Sequence, residues 1–361
     1  MRQGGAKESR QRVAKGEKLC SLPEMDPLSQ GLLGAVAAQT VAKSEQIRIA
    51  AGAGFFGGII ADSDVFIRSA EDPLLAIEFH RHFTHSIFFI PFGGLIGAAL
   101  LWPLLKRKLS FGEVYRYATL GFATSGFLDA CTSYGTQLLW PLSSDRIAWN
   151  VISIIDPLFT GTLLLSVLAG FAFRRVRVPQ AGFALAMLYL CFGVYQRERA
   201  EGAIESLASA RGHGSQRLTA KPAIGNLILW RGIYESGGRF YIDAMQIGVF
   251  GDPTVYEGSS VEKFDVSREF PELSPESTLY HDIERFSWFS DGYVAFHLDR
   301  PDVLGDVRYS EIPNRLKPLW GIRVDTSKPH EHVPFLNFEN VEDGDFKILW
   351  LMIRGRPLDA D

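Results

Sequence analysis

The pattern of apolar and polar positions changes character near residue 197. Before it, apolar residues run together. Residues 87–105 and 178–196 are 19-residue stretches without a charge, and residues 151–173 form a run of 23 broken only by Asp156. Stretches of 18 or more apolar residues read as membrane-crossing helices. The pattern predicts six helical segments, at about 28–42, 47–61, 86–105, 114–130, 150–173 and 179–196. The first two are shorter than a full crossing and rich in Gly and Ala, which suits tight packing inside a bundle. Gly52, Gly54, Gly57 and Gly58 read as positions of close backbone approach. Beyond 197, charges, aromatics, Gly and Pro mix. The runs Ile224–Tyr234 and Arg239–Phe250 flank Glu235-Ser236-Gly237-Gly238, a hairpin signal. Tyr293–Leu298, Leu319–Val324 and Lys347–Ile353 are further strand candidates.

The fold class expected is therefore an α-helical transmembrane bundle of about six segments followed by a β-rich soluble C-terminal domain. The boundaries follow the same shifts: a disordered basic extension over 1–24, a helical membrane domain with a candidate metal site over 25–200, a linker over 201–217, and the β-rich domain over 218–361. Residues 1–24 lack the apolar core of a signal peptide, and the sharp change at Met25-Asp26-Pro27 makes Met25 an alternative start.

Charge adds an orientation. Lys43, Arg48, Lys106, Arg107, Lys108, Arg116, Arg174, Arg175 and Arg177 fall in one set of alternate loops, against Arg68, Arg81 and Arg146 in the other. The richer side is expected in the cytoplasm. The sixth segment then exits on the far side, and the C-terminal domain faces the periplasm or the exterior; Arg197 and Arg199 oppose that exit. The net charge of −4 comes without a basic block in the soluble half, so no nucleic-acid partner is expected. Three cysteines, Cys20, Cys131 and Cys191, exclude a disulfide framework and a cysteine zinc finger.

Ionisable residues at membrane depth are costly, which makes each one a candidate for function. Asp62 and Asp64 end the second segment, His80, Arg81, His82 and His85 lead into the third, Asp129 ends the fourth, and Asp156 opens the fifth. The orientation above puts them all near the non-cytoplasmic face. Carboxylates at 62 and 64 with imidazoles at 80 and 85 suit a divalent ion. Five residues turn a helix through about 140° net, so the two histidines do not share a helical face. Thr84 is expected to cap the third helix, with His80 ahead of it and His85 in its first turn. Arg81 suits a phosphate or carboxylate, whose two oxygens its fork can bind. Plainer readings stand beside these. Asp62 and Asp64 can be solvated helix-end acids, Asp156 an N-cap, and His82 an exposed or supporting group. Trp102, Trp140 and Trp149 read as interfacial belts. His281, His297, His330 and His332 have no ligand spacing and read as ordinary surface or core residues.

Met25-Asp26-Pro27 before a Gly/Ala-rich helix, Asp62-Ser63-Asp64, His80-Arg81-His82-Phe83-Thr84-His85-Ser86, and Leu128-Asp129-Ala130-Cys131-Thr132-Ser133-Tyr134-Gly135-Thr136 through Leu139-Trp140-Pro141 resemble the YdjM-like family of membrane-bound metal-dependent hydrolases, over about residues 25–175. The resemblance implies a multi-pass inner (plasma) membrane protein and a distant relationship to zinc-dependent phospholipase C and P1-type nucleases. It also implies a divalent metal ion, zinc first, held by Asp62, Asp64, His80, His85 and Asp129. Family members commonly carry Thr-His where this chain has Ser29-Gln30, and an amide is a poor ligand. The function expected is hydrolysis of a phosphoester in a lipid or envelope metabolite, with membrane lipid as partner, Arg81 stabilising charge and Asp156 orienting the site. The other class is a non-catalytic membrane protein, either an ion- or proton-coupled transporter or an envelope scaffold. Six segments are few for a transporter, and the sequence has no inverted repeat.

Overall fold

The computed structural model describes residues 18–19, 26–338, 342 and 344–358. The extension over 1–24 and Met25 lie outside the described residues, except that Lys18–Leu19 form a short strand, β1.

All six expected helices are present. Asp26 caps α1 (Pro27–Gln39) by accepting from the Leu28 amide, with Pro27 at the first helical position. Helix α2 (Ile47–Ile60) runs on into a 3-10 turn over Ala61–Phe66. A short helix α3 (Leu75–Phe79) and a 3-10 turn over Phe83–His85 precede α4 (Ile90–Leu105). Helix α5 (Phe111–Cys131) opens on a capping box between Ser110 and Glu113. Helices α6 (Pro157–Phe173) and α7 (Arg177–Ala210) complete the set. Among the described residues two stretches, Ile47–Phe66 and Arg177–Ala210, are long and apolar enough to cross a membrane. A third qualifies if Leu75–His85 and Ile90–Leu105, bent by 89°, make one span; Pro157–Phe173 is shorter.

Two expectations at helix ends need correction. Thr84 does not cap α4, which starts later, at Ile90 behind Phe89; its hydroxyl is engaged instead by Asp64. The linker expected over 201–217 is mostly helix, since α7 continues to Ala210. Ala200, Ile204 and Ala208 lie four residues apart on one face and are buried against Trp230, Tyr234 and Met245, which stabilises the extra turns despite Gly202. At 1.5 Å per residue, α7 is about 51 Å long.

Helices α1, α2 and α5 meet backbone to backbone. A Cβ on Gly121 would stand 2.0 Å from the Gly54 carbonyl oxygen, one on Gly34 2.4 Å from the same atom, and one on Gly57 2.2 Å from the Ala118 oxygen. Gly58 likewise abuts the Gln30 oxygen. Gly52 is the exception to the close-approach reading, because nothing lies within 4 Å of where its Cβ would be.

The C-terminal region holds two antiparallel sheets. One runs β2-β3-β4-β5 (Arg217–Pro222, Leu229–Ser236, Arg239–Gln246, Thr254–Glu262), with Gly237 and Gly238 at φ 58° and 72° in the expected hairpin turn. After a single turn of helix, α8 (Val266–Glu269), the amphipathic α9 (Thr278–Phe289) leads to the second sheet. Its order is β1-β9-β8-β7-β6, with β6 at Val294–His297, β7 at Arg300–Asp306, β8 at Trp320–Arg323 and β9 at Phe335–Asn337. The strand expected at Lys347–Ile353 is a helix, α10 (Asp345–Ile353). Short apolar runs do not separate strand from helix by periodicity. Here Ile348, Leu349, Met352 and Ile353 fall on one helical side and pack on Leu229, Ala244 and Tyr256.

Leu74, Ile77 and Tyr134 of the helical region share a core with Leu279, Phe286, Phe289 and Trp320 of the C-terminal region. Lys221 donates to the Ser133 carbonyl at 3.2 Å and to Asn150 Oδ1 at 3.0 Å, and the Tyr309 hydroxyl donates to the same Ser133 carbonyl. Burial, with Arg308 and Arg231 nearby and Asp306 and Asp291 only partly offsetting them, pushes the Lys221 ammonium down to about 7.

Candidate metal centre

Where α2 tightens into its 3-10 turn, Asp62 and Asp64 are presented two residues apart. The turn over Phe83–His85 and the last turn of α5 bring His85 and Asp129 to the same place. His85 Nε2 lies 3.1 Å from Asp62 Oδ1 and 2.9 Å from Asp129 Oδ2. Asp62, His85 and Asp129 thus each offer one donor atom, all within 4.8 Å of one another. His85 and Asp129 are buried, while the Asp62 side chain keeps 18% exposure and opens the cluster outward.

Asp64 and His80 stand behind this trio. Asp64 accepts from the Arg81 amide at 2.9 Å and the Thr84 hydroxyl at 2.7 Å, and its oxygens lie 3.1 Å from His80 Nδ1 and 3.2 Å from His85 Nδ1. One carboxylate therefore positions both imidazoles. A carboxylate behind a histidine fixes the ring and its tautomer at metal sites. With Nδ1–H turned to Asp64 or the Thr84 oxygen, Nε2 carries a lone pair aimed at Asp62 and Asp129. Three acceptors then face one another, an arrangement a cation resolves. The donor set of one imidazole and two carboxylates fits zinc or another borderline divalent ion. His80 Nε2 is buried without a hydrogen bond.

Arg81 is fully buried at φ 60°, a left-handed conformation held by its own amide on Asp64 and by its carbonyl, which accepts from Gln137 N and Thr136 Oγ1. Its Nη1 donates to Thr132 Oγ1 at 3.2 Å, Nε lies 3.4 Å from Asp129 Oδ2, and the guanidinium sits 4.8 Å over the Tyr134 ring. Arg81 Nη2 is buried without a hydrogen bond, while Asp129 Oδ2 pairs with both Arg81 Nε and His85 Nε2.

Gln30 belongs to the centre as well. It is fully buried on α1, and its Nε2 donates to Asp129 Oδ1 at 3.1 Å and to Asp62 Oδ1 at 3.4 Å. Sequence reasoning reached it only as a departure from a family pattern. Thr132, three residues after Asp129, accepts from Arg81, a role that the fold sets and the spacing does not show. Asp156 stands apart from the trio: it caps α6 by accepting from Leu158 and Phe159 amides and takes the Tyr189 hydroxyl at 2.7 Å. His82 packs among Phe79, Phe83 and Trp140 rings.

Among the described residues one tail histidine joins a second convergent group, Asp72, Asp282 and His332. His332 lies 2.9 Å from Asp282 and 3.9 Å from Asp72, but Arg285 already bonds both carboxylates and Glu78.

A family model of YdjM inner membrane proteins matches residues 25–200, the stretch that contributes Gln30, Asp62, Asp64, His80, Arg81, His85 and Asp129. This helical half belongs to the YdjM inner membrane protein family. The chain is accordingly a membrane protein, and its YdjM half is the half that carries the buried cluster. A further relative, the uncharacterized protein YfhP of Bacillus subtilis (strain 168), is 33% identical over 81 residues, 22% of this chain. The chain spans about a quarter of the length of that relative. No solved structure matches.

Proposed function

We propose that this protein is a multi-pass, membrane-bound, metal-dependent hydrolase of phosphoesters, with its site near the non-cytoplasmic face and its C-terminal domain on that side. The observation that carries the reading is the convergence of one donor atom each from Asp62, His85 and Asp129 within 4.8 Å of one another, with His85 and Asp129 buried. Two carboxylates and an imidazole gathered so in a buried site are a donor set for a divalent cation.

Asp62, His85 and Asp129 would hold the ion, with Asp64 orienting His85. A divalent ion supplies Lewis acidity toward a phosphoryl oxygen and lowers the pKa of water. Arg81 Nη2, unpartnered beside the trio, is the donor available to an anionic oxygen, and the Tyr134 ring and Thr132 hold the guanidinium in place. The partly exposed Asp62 gives the approach. The Lys/Arg asymmetry supports the orientation, and Arg197 and Arg199, which oppose it, are both taken up by backbone carbonyls of Trp149, Gly248 and Gly251.

An imidazolium at 85 makes the same contacts as a metal-bound imidazole, so metal content decides. Detergent-purified protein should carry a stoichiometric divalent metal by elemental analysis. His85→Ala should lose the metal together with metal-dependent hydrolysis of phospholipid or nucleotide-type esters. Arg81→Ala should keep the metal and lose turnover, because guanidinium does not ligate. Metal-free wild type without such hydrolysis would overturn the reading in favour of a transporter or scaffold.

A further inference from the structure

Residues 178–196 of α7 carry no charge and, at 1.5 Å per residue, match a hydrocarbon core of about 30 Å. Two loops of the C-terminal region are tied to the helical half just where that stretch ends. Arg199, three residues or about 4.5 Å past Gln196, donates to the carbonyls of Gly248 and Gly251 and so brackets the β4–β5 loop. Between those carbonyls stand Val249, 49% exposed, and Phe250, 91% exposed. The β2–β3 loop is fixed at the same end: the Gly225 amide donates to Ile155 O at 3.0 Å and Ser153 Oγ at 3.2 Å, next to the start of α6. Ile224 beside it is 61% exposed and continues the exposed apolar belt of Ile155 and Leu158.

Helix α10 flanks these loops. Its C-terminal end is held by the Tyr256 hydroxyl, which donates to the carbonyls of Met352 and Arg356, and Gly355 lies beside Gln246 at the end of β4. Phe346 and Trp350, one turn apart, are exposed. Arg354 covers the Trp350 ring, while Lys347 and Arg356 are exposed with no ion-pair partner among the described residues. Exposed aromatics with Lys and Arg at bilayer height are the composition of an interfacial element.

We infer that the β2–β3 loop, the β4–β5 loop and α10 form a lipid-docking surface, which seats the C-terminal region in the headgroup layer of the leaflet from which α7 emerges. The occupant is an anionic leaflet: Ile224, Val249, Phe250 and Trp350 enter the acyl–headgroup boundary, and Lys347, Arg354 and Arg356 meet phosphate. The headgroup layer is roughly 5–7 Å deep on each side, enough to contain a loop anchored about 4.5 Å beyond the core. Elsewhere on the same region, Leu298 is 67% exposed at the β6–β7 turn, at the other end of β7 from the Ser133 contact, and serves as an aqueous reference. The inference rests on α7 being embedded and not on the metal centre, so its failure leaves the hydrolase reading untouched.

The test uses the full chain with Cys20 and Cys191 changed to Ala, since buried Cys131 is out of a reagent's reach. Nitroxide labels are placed singly at Phe250→Cys, Trp350→Cys and Leu298→Cys, and the protein is reconstituted in nanodiscs of phosphatidylethanolamine and phosphatidylglycerol at three to one. Spin relaxation should show oxygen accessibility above that of a water-soluble nickel chelate at 250 and 350, and the reverse at 298. A water-like value at 250 or 350 overturns the inference. Spin–spin broadening at either position, the mark of a second copy on this surface, overturns it as well.

Discussion

The carboxamide of Gln30 donates to Asp129 across 3.1 Å, joining α1 to the end of α5 at the buried heart of the helical half. It approaches both outer carboxylates of the trio through nitrogen and leaves its own Oε1 buried without a hydrogen bond. The cluster therefore offers three convergent donor atoms, and Gln30 faces two of its residues with an amide nitrogen.

Gln30→His is expected to raise metal retention or shift metal preference, because an imidazole binds borderline divalent ions far better than an amide does. Elemental analysis after dialysis against a graded chelator series checks it. Retention and preference unchanged from wild type would remove Gln30 from the ligand sphere.

The packing of α1, α2 and α5 makes a paired prediction. Gly121→Ala drives a Cβ to 2.0 Å from the Gly54 carbonyl, where only backbone can move, whereas Gly52→Ala meets nothing within 4 Å. The first should cost about 1–3 kcal/mol or more by overpacking. The second should be neutral or slightly stabilising, since Ala is the better helix former. Thermal unfolding in detergent reads both, and equal melting temperatures would refute the packing account.

Lys221 predicts a pH dependence at the junction of the two halves. Unfolded, its ammonium keeps a proton up to about 10.5; folded, it releases it above about 7. The unfolded chain binds more protons between those values, so this group makes stability rise with pH from 7 towards 10 and adds no slope below 7. The wild-type melting temperature should climb between pH 7 and 9.5 relative to that of Lys221→Met, which has nothing to titrate there. Parallel curves for the two proteins would show that the buried ammonium stays charged.

Orientation is checked by fusion after residue 215. Alkaline phosphatase should be active there and green fluorescent protein dark, as the Lys/Arg asymmetry requires. The opposite pattern would put the Asp/His cluster on the cytoplasmic side.

The parts of this molecule legible in sequence are those governed by local pattern. Six helices announce themselves by apolar runs that few charges interrupt, and Gly237-Gly238 marks its hairpin because only glycine adopts two successive positive φ angles at little cost. The convergence of Asp62, His85 and Asp129 followed from their shared position at segment ends. What sequence did not reveal was the division of labour among neighbours two to five residues apart. Asp62 and Asp64 look equivalent on paper, yet the 3-10 turn directs one into the trio and the other behind both histidines. The extent of α7 was hidden because its last turns are stabilised by Trp230, Tyr234 and Met245, residues that lie 20 or more positions further along the chain. The strand expected at α10 failed for the related reason that a six-residue apolar run takes its conformation from the surface it covers.

Because α7 is one unbroken rod from the apolar layer to the underside of the first sheet, its length sets the rotational phase of the C-terminal region as well as its height. One residue inserted near 197–199 would turn everything beyond it by about 100° and lift it by about 1.5 Å. Tyr309 and Lys221 would then miss Ser133, and Gly225 would miss Ile155. Chain length there behaves like the tooth count of a gear: single steps disengage the two halves, and a change of a whole turn, near 3.6 residues, comes closest to restoring the mesh.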